Sequence, residues 1–164
     1  MTLFRLKGSE LHGPDRVIPC VTGPGGVRED KHEGDGATPS GCLRITGALY
    51  RPDRLRADQV PDWARPLAMD DLWSDDPADP FYNRQVRAPH DFSHEALWRE
   101  DALYDLILLT DWNTAPVVPG RGSAIFIHTW RGPDQPTEGC IAMGREDLLW
   151  LARTITPGDA IMTG

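Results

Sequence analysis

Apolar and polar residues alternate over short runs near both ends of the chain. "TLFRL" (residues 2–6) and "DRVIPCV" (15–21) read as two short strands, and "CLRITGALY" (42–50) alternates over a longer stretch. Period two is the mark of a strand with one buried face. "ALYDLILLT", ending at Thr110, is continuously apolar near its end and predicts a central strand buried on both faces. "SAIFIHT" (123–129) predicts another strand, and "AIMT" a closing one. Helical spacing is rarer. "GREDLLWLART" offers Leu148, Leu149, Leu151 and Ala152 for one apolar side. "SHEALWRED" predicts a second short helix, with Ser93 as N-cap and Glu95 in the first turn. The expected fold class is mainly β with a few short helices (α+β), in one domain over residues 1–164.

Turn chemistry fills the gaps. There are 16 glycines and 15 prolines in 164 residues, about twice the usage of a helical bundle. The glycine-rich segment 22–41 is too long to be a simple connection, and such loops are usually functional. Residues 51–91 show no clear periodicity. Trp63, Trp73, Phe81 and Tyr82 are expected to pin this segment to the body. Its aspartate-rich stretch "MDDLWSDDPADPFYN" lacks the spaced ligands and terminal Glu of a calcium loop, so a solvated acidic loop is expected.

Charge and hydropathy exclude several classes. A formal net charge of −8 with no Lys/Arg run argues against nucleic acid as the main partner. No stretch approaches the roughly 20 apolar residues of a membrane span. The opening "MTLFRLKGSELHGPD" lacks the apolar run of a signal peptide, which leaves a cytoplasmic location and an export signal outside these residues both open. The three cysteines, Cys20, Cys42 and Cys140, leave at least one free thiol. Cys20 and Cys42 are expected to be small buried apolar side chains. The spacing of Cys20, His32 and Cys42 lacks the close pairs of a structural zinc site, and neither a metal nor a cofactor is expected.

One stretch, "SAIFIHTWRGPDQPTEGCIAM" (123–143), carries candidate chemistry. His128 ends an apolar strand, and Cys140 follows Gly139 after a proline-bearing turn. If the strand and the loop fold back together, an imidazole meets a thiol, the pairing that activates a cysteine nucleophile. From residue types alone a hydrogen-bonded strand-end histidine and a buried cysteine are the simpler reading. Papain-like enzymes place the cysteine before the histidine, so that pattern does not fit. Met143 stands where a redox CxxC would need its second cysteine. A metal site built on His128 and Cys140 would need two more ligands.

Together, "IHTW…PTEGCIAM" resembles the active-site signature of the YkuD-like L,D-transpeptidases. His128 matches the signature histidine, Thr137 its Ser/Thr, Gly139 its glycine and Cys140 its nucleophile. "KHEGDGATPSG" resembles the "GDGxTPxG" segment of the same family, and "YDLILLTDWN" and "PGRGSAIFIH" resemble its central strands. The resemblance implies a YkuD-like β-sandwich and acyl transfer through a cysteine thioester. It implies diaminopimelate-containing peptidoglycan stem peptides as substrate, carbapenem-type β-lactams as inhibitors, and periplasmic action. It further implies a carbonyl near Thr129 on the other imidazole nitrogen and backbone N–H groups around Gly139 and Cys140 for the developing oxyanion. Lys31, Tyr50, Arg121, Ser123, Thr137 and Glu138 are the candidate substrate-binding residues, Arg121 either as the partner of a stem carboxylate or simply as a surface residue in a turn. Lys31, Asp35 and Thr38 form either a rim or an internal network, and Ser123 and Thr137 either bind peptide or brace the loop.

The chain departs from the usual pattern at two positions. Glu138 stands where many members have His, and Ala142 where many have Arg or Asn. This version is similar to a divergent proteobacterial branch, some of whose enzymes are linked to crosslinks between L-Ala and diaminopimelate, the 1,3 type instead of the usual 3,3 type. A hydrolase or L,D-carboxypeptidase of the same fold, and a non-catalytic wall-binding domain, are the alternatives.

Overall fold

All five residues of the strand Leu106–Thr110 are buried, because this strand stands between two cores. Leu106 and Leu108 point into the larger one, and Ile107 and Leu109 into the smaller. The alternation of side chains in an extended strand makes one element the wall of both. This is β11 of a computed structural model describing residues 1–164.

In chain order the elements are β1 (Leu3–Lys7), β2 (Glu10–His12), β3 (Val17–Val21), β4 (Val27–Arg28), β5 (Thr38–Pro39), β6 (Gly41–Tyr50), β7 (Ala64–Pro66), β8 (Asp71–Ser74), β9 (Gln85–Arg87), β10 (His94–Ala96), β11, β12 (Phe126–Thr129), β13 (Ile141–Met143), α1 (Arg145–Thr154) and β14 (Ala160–Thr163). The fold is mainly β with one short α-helix. A single 3-10 turn, Ala57–Gln59, is the other helical element.

The large sheet runs β11-β12-β13-β3-β2-β1-β14-β6-β7, and β11 also pairs with β6. Eight strands therefore close on themselves, with β7 appended to β6. Two strands turn the corners of the sandwich. β3 pairs with β2 through Val17–Pro19 and with β13 through Cys20 and Val21. β6 pairs with β14 along its first half and with β11 along its second. A register shift in the β6–β11 ladder skips Thr46, so the inward set passes from Leu43 and Ile45 to Ala48. One extra residue inverts the facing of all that follow, which is how a bulge bends a long strand round a core.

The larger core lies inside this closed sheet, and α1 closes it with Leu148, Leu149, Leu151 and Ala152. The smaller core lies on the outer face of β11 and β12. It is covered by an excursion of the chain that carries the three-stranded sheet β10-β8-β9. Leu67, Leu97 and Tyr104 seal it, and Trp73 meets Phe126 edge to face at 4.9 Å.

Several expectations are corrected. The segment with Ser93 and Glu95 is strand β10, not a helix. His94, Glu95 and Ala96 pair with Ser74, Trp73 and Leu72, and cross-strand pairing overrides a capping signal that has no apolar stripe behind it. β12 begins at Phe126, not at Ser123, because Ala124 has φ +54 and breaks the extended run. Cys42 is exposed, since the alternation that buries Leu43 turns its neighbour outward. Phe81 is 58% exposed and pins nothing, whereas Tyr82 is buried. The acidic loop is only partly solvated: Asp71 and Asp79 are buried, and Asp79 accepts from the Phe81 N–H at 2.8 Å and pairs with His90 at 2.6 Å.

Candidate active site

β12 and β13 run parallel, with Ile127 opposite Ile141 and His128 opposite Ala142. Ile127 and Ile141 enter the larger core, so Phe126 and His128 face the other way. Cys140, the residue before β13, joins Phe126 and Ala124 in the smaller core. Sheet alternation thus brings residues 128 and 140 to one face. Both line a cavity of about 470 Å³ between the covering excursion and the loops at Lys31–Gly36 and Arg131–Glu138.

His128 Nδ1 lies 2.7 Å from the Thr129 carbonyl. A carbonyl only accepts, so Nδ1 carries the hydrogen and Nε2 keeps the lone pair. Tyr104 packs edge-on against the imidazole at 5.2 Å, and its hydroxyl donates to Glu95. Burial lowers the His128 pKa to about 4, so the ring is neutral at pH 7. Burial also pushes the Cys140 thiol up to about 12. Its sulfur donates to the Ala124 carbonyl at 3.0 Å and accepts the Phe126 N–H at 3.4 Å. The resting pair is therefore neutral thiol and neutral imidazole, with the thiol proton directed at a carbonyl and not at the ring.

The glycine-rich segment reaches the loop before Cys140 through backbone. Gly139 has φ +139, and a Cβ there would lie 2.6 Å from the Ala37 carbonyl oxygen. Thr38, fully buried, donates to the Gly139 carbonyl at 2.9 Å and accepts the Gly23 N–H at 3.3 Å. Thr137 Oγ1 accepts the Gly139 N–H at 3.1 Å and donates to the Cys140 carbonyl at 2.6 Å. Thr137 braces the loop. The Gly139 N–H is consumed by that brace, which removes it from the expected oxyanion donors. The Cys140 N–H has no acceptor among the hydrogen bonds of the chain.

Of the other predicted residues, Lys31, Ser123, Thr137 and Glu138 line the cavity. Arg121 and Tyr50 do not. Arg121 is exposed beside the Trp112 ring at 5.7 Å, and Tyr50 packs on the larger core. Trp112 packs there too, whereas Trp130 borders the cavity. Lys31 is buried and donates to Asp35 at 2.6 Å. Burial would raise the Asp35 pKa, but hydrogen bonds from Lys31 and from the His32 and Ala37 N–H groups outweigh it and hold it at about 2. Lys31 and Asp35 thus form an internal pair, Lys31 also reaching the cavity wall, whereas Thr38 bonds separately to Gly23 and Gly139.

Sequence reasoning missed Glu33, Asn83, Glu95, Tyr104 and Ala124. Glu33 accepts from Tyr82 at 2.8 Å and Ser123 at 2.5 Å. Glu95 and Tyr104 come from the covering excursion, where the expected helix with Glu95 and the expected strand containing Tyr104 give no hint of an approach to residue 128. Only Asn83, after an aromatic and within turn-forming residues, carries a signal, since Asn tolerates the left-handed conformation it adopts here.

Scaffold and site together define a closed β-sandwich with a thiol and an imidazole on one cavity. The chain belongs to the YkuD family: the model of the L,D-transpeptidase catalytic domain matches residues 2–162. Among solved structures it is similar to L,D-transpeptidase 1 of Mycobacterium tuberculosis (12% identity, TM-score 0.45) and to an L,D-transpeptidase from Mycobacterium smegmatis (12%, 0.44). It is also similar to the helical cell shape determining protein Pgp2 of Campylobacter jejuni (15%, 0.49). Each comparison covers 99% of this chain, which spans 58% of the mycobacterial chains and 46% of Pgp2. No curated protein sequence matches it.

Proposed function

We propose that the chain is a cysteine-dependent L,D-transpeptidase that crosslinks diaminopimelate-containing stem peptides of peptidoglycan in the periplasm. The observation that carries this reading is the disposition of His128: its Nδ1 is held by the Thr129 carbonyl, its Nε2 is unprotonated, and it shares a cavity with Cys140.

In this mechanism the Cys140 proton leaves the Ala124 carbonyl for His128 Nε2 when a peptide fills the cavity. The sulfur attacks the donor carbonyl, and the Cys140 N–H receives the developing charge. Collapse breaks the peptide C–N bond, the imidazolium protonates the departing amine, and a thioester remains. An acceptor amine, that of diaminopimelate, gives its proton to His128 and takes the acyl group. Glu138 on the cavity wall suits the ammonium end of such peptides. Water as acceptor would make the same site a carboxypeptidase.

The test is incubation with tetrapeptide muropeptides and mass analysis. Dimers are expected; trimmed monomers alone would make the chain a hydrolase. Tandem spectra of the dimer identify the acyl donor as L-Ala or diaminopimelate, hence the 1,3 or 3,3 crosslink. Cys140→Ala is expected to abolish the dimers and the mass adduct with a carbapenem, and an adduct surviving in that variant would refute the nucleophile. Recovery of the protein only from cytoplasm on fractionation would refute the location.

A further inference from the structure

Asn83 lies in the covering excursion, in the turn between β8 and β9, buried and with φ +58. Its amide uses its full capacity. Oδ1 accepts the Ala124 N–H and the Trp73 Nε1–H, both at 3.0 Å. Nδ2 donates to the Trp112 and Asn113 carbonyls at 3.0 and 2.9 Å. Only this orientation of the amide satisfies all four partners.

The residue it grips is itself unusual. Ala124 has φ +54, a conformation that costs a residue with a Cβ roughly 1–2 kcal/mol. The turn it makes lets two backbone groups of one segment converge on one sulfur: the Ala124 carbonyl at 3.0 Å and the Phe126 N–H at 3.4 Å. An extended residue 124 would carry its carbonyl away from the thiol.

We propose that Asn83 is a positioning residue for the nucleophile: by binding the Ala124 N–H it holds Ala124 in the left-handed conformation from which the Ala124 carbonyl and the Phe126 N–H fix the sulfur of Cys140. The assignment rests on Cys140 as the reacting thiol. It makes the covering excursion part of the active site, although Asn83 touches no substrate.

The cleanest variant is Asn83→Gly, because glycine accepts φ +58 and loses only the amide. In it kcat falls about tenfold, the equivalent of the left-handed cost at residue 124, while KM stays within about twofold. The alkylation rate of Cys140 by iodoacetamide, read peptide by peptide in a mass spectrometer, changes at least about threefold. The double variant Asn83→Gly/Ala124→Gly restores both, since glycine at 124 adopts the turn unaided. Asn83→Asp, which keeps an acceptor for Ala124, retains a higher kcat than Asn83→Gly even where it melts lower.

Unchanged kcat and alkylation in Asn83→Gly, or losses that Ala124→Gly does not repair, would overturn the proposal. The alkylation arm needs no turnover. If the wild-type chain forms no muropeptide products, that reading of its function fails while the alkylation result still decides the role of Asn83.

Discussion

Thr38 donates its hydroxyl to the carbonyl of Gly139 at 2.9 Å, across 101 residues of sequence. The bond joins the glycine-rich loop to the residue before the nucleophile, in a fully buried place. Thr38→Val preserves shape and removes the bond, leaving the Gly139 carbonyl and the Gly23 N–H unpaired. A loss of about 1–3 kcal/mol is expected in urea unfolding, with a fall in kcat exceeding any change in KM.

Gly139 cannot carry a side chain. At φ +139 with the Ala37 carbonyl oxygen 2.6 Å from an added Cβ, Gly139→Ala must push apart two backbone segments. The expected cost is about 2–3 kcal/mol, and carbapenem acylation should drop by at least about tenfold. Equal acylation rates in the two proteins would contradict this account.

The His128 pKa, lowered by burial from 6.5 to about 4, sets two pH effects. In the proposed mechanism the free base is the working form, so kcat/KM is expected to fall as pH drops through about 4, not through 6.5. For stability, the unfolded chain binds the proton more tightly than the folded one. The contribution is therefore fully present above pH 6.5 and is lost as pH falls toward 4, amounting to about 3 kcal/mol. Glu95, whose pKa is raised by burial, works in the opposite direction. Subtracting the urea midpoints of His128→Gln at pH 7 and pH 4 isolates the histidine, and parallel pH curves for the two proteins would disprove the assignment.

The thiols should separate by rate. Cys42 is exposed, whereas Cys20 is buried and pushed by burial to about 11. An aromatic disulfide reagent on the folded protein is expected to titrate one thiol quickly and two slowly. All three react at once after denaturation, because none is in a disulfide.

Arg121 is exposed and stands outside the cavity. Arg121→Ala is expected to leave KM for muropeptides within about twofold and stability within about 0.5 kcal/mol. Lys31→Ala is expected to impair both, because it strips Asp35 of its buried partner.

Where burial has a simple period, the fold was legible. The alternation of residues 42–50, the doubly buried run ending at Thr110 and the helix with Leu148 and Leu151 all appear where their patterns put them. The excursion that covers the outer core was not legible. Its strands have three or four residues, and Glu95 and Ser93 carry helix-start chemistry that Trp73 and Ser74 override only in three dimensions. At the site, His128 and Cys140 stand in one quoted stretch, and the structure gathers them on one cavity. Arg121 was drawn in by proximity in sequence, but its guanidinium lies beside the Trp112 ring, outside the cavity. Tyr104 could not be read, and Asn83 only as a turn residue, because nothing in one sequence records that distant segments share a hydrogen bond or a ring contact.

Closing the large sheet leaves it one terminal strand, β7, of only three residues, Ala64, Arg65 and Pro66. A charged side chain and a residue without an N–H make a poor template for strand addition. The large sheet thereby presents almost no open edge, and the one it keeps is short and lacks a donor. A second copy of the chain therefore finds little ladder to extend from this sheet.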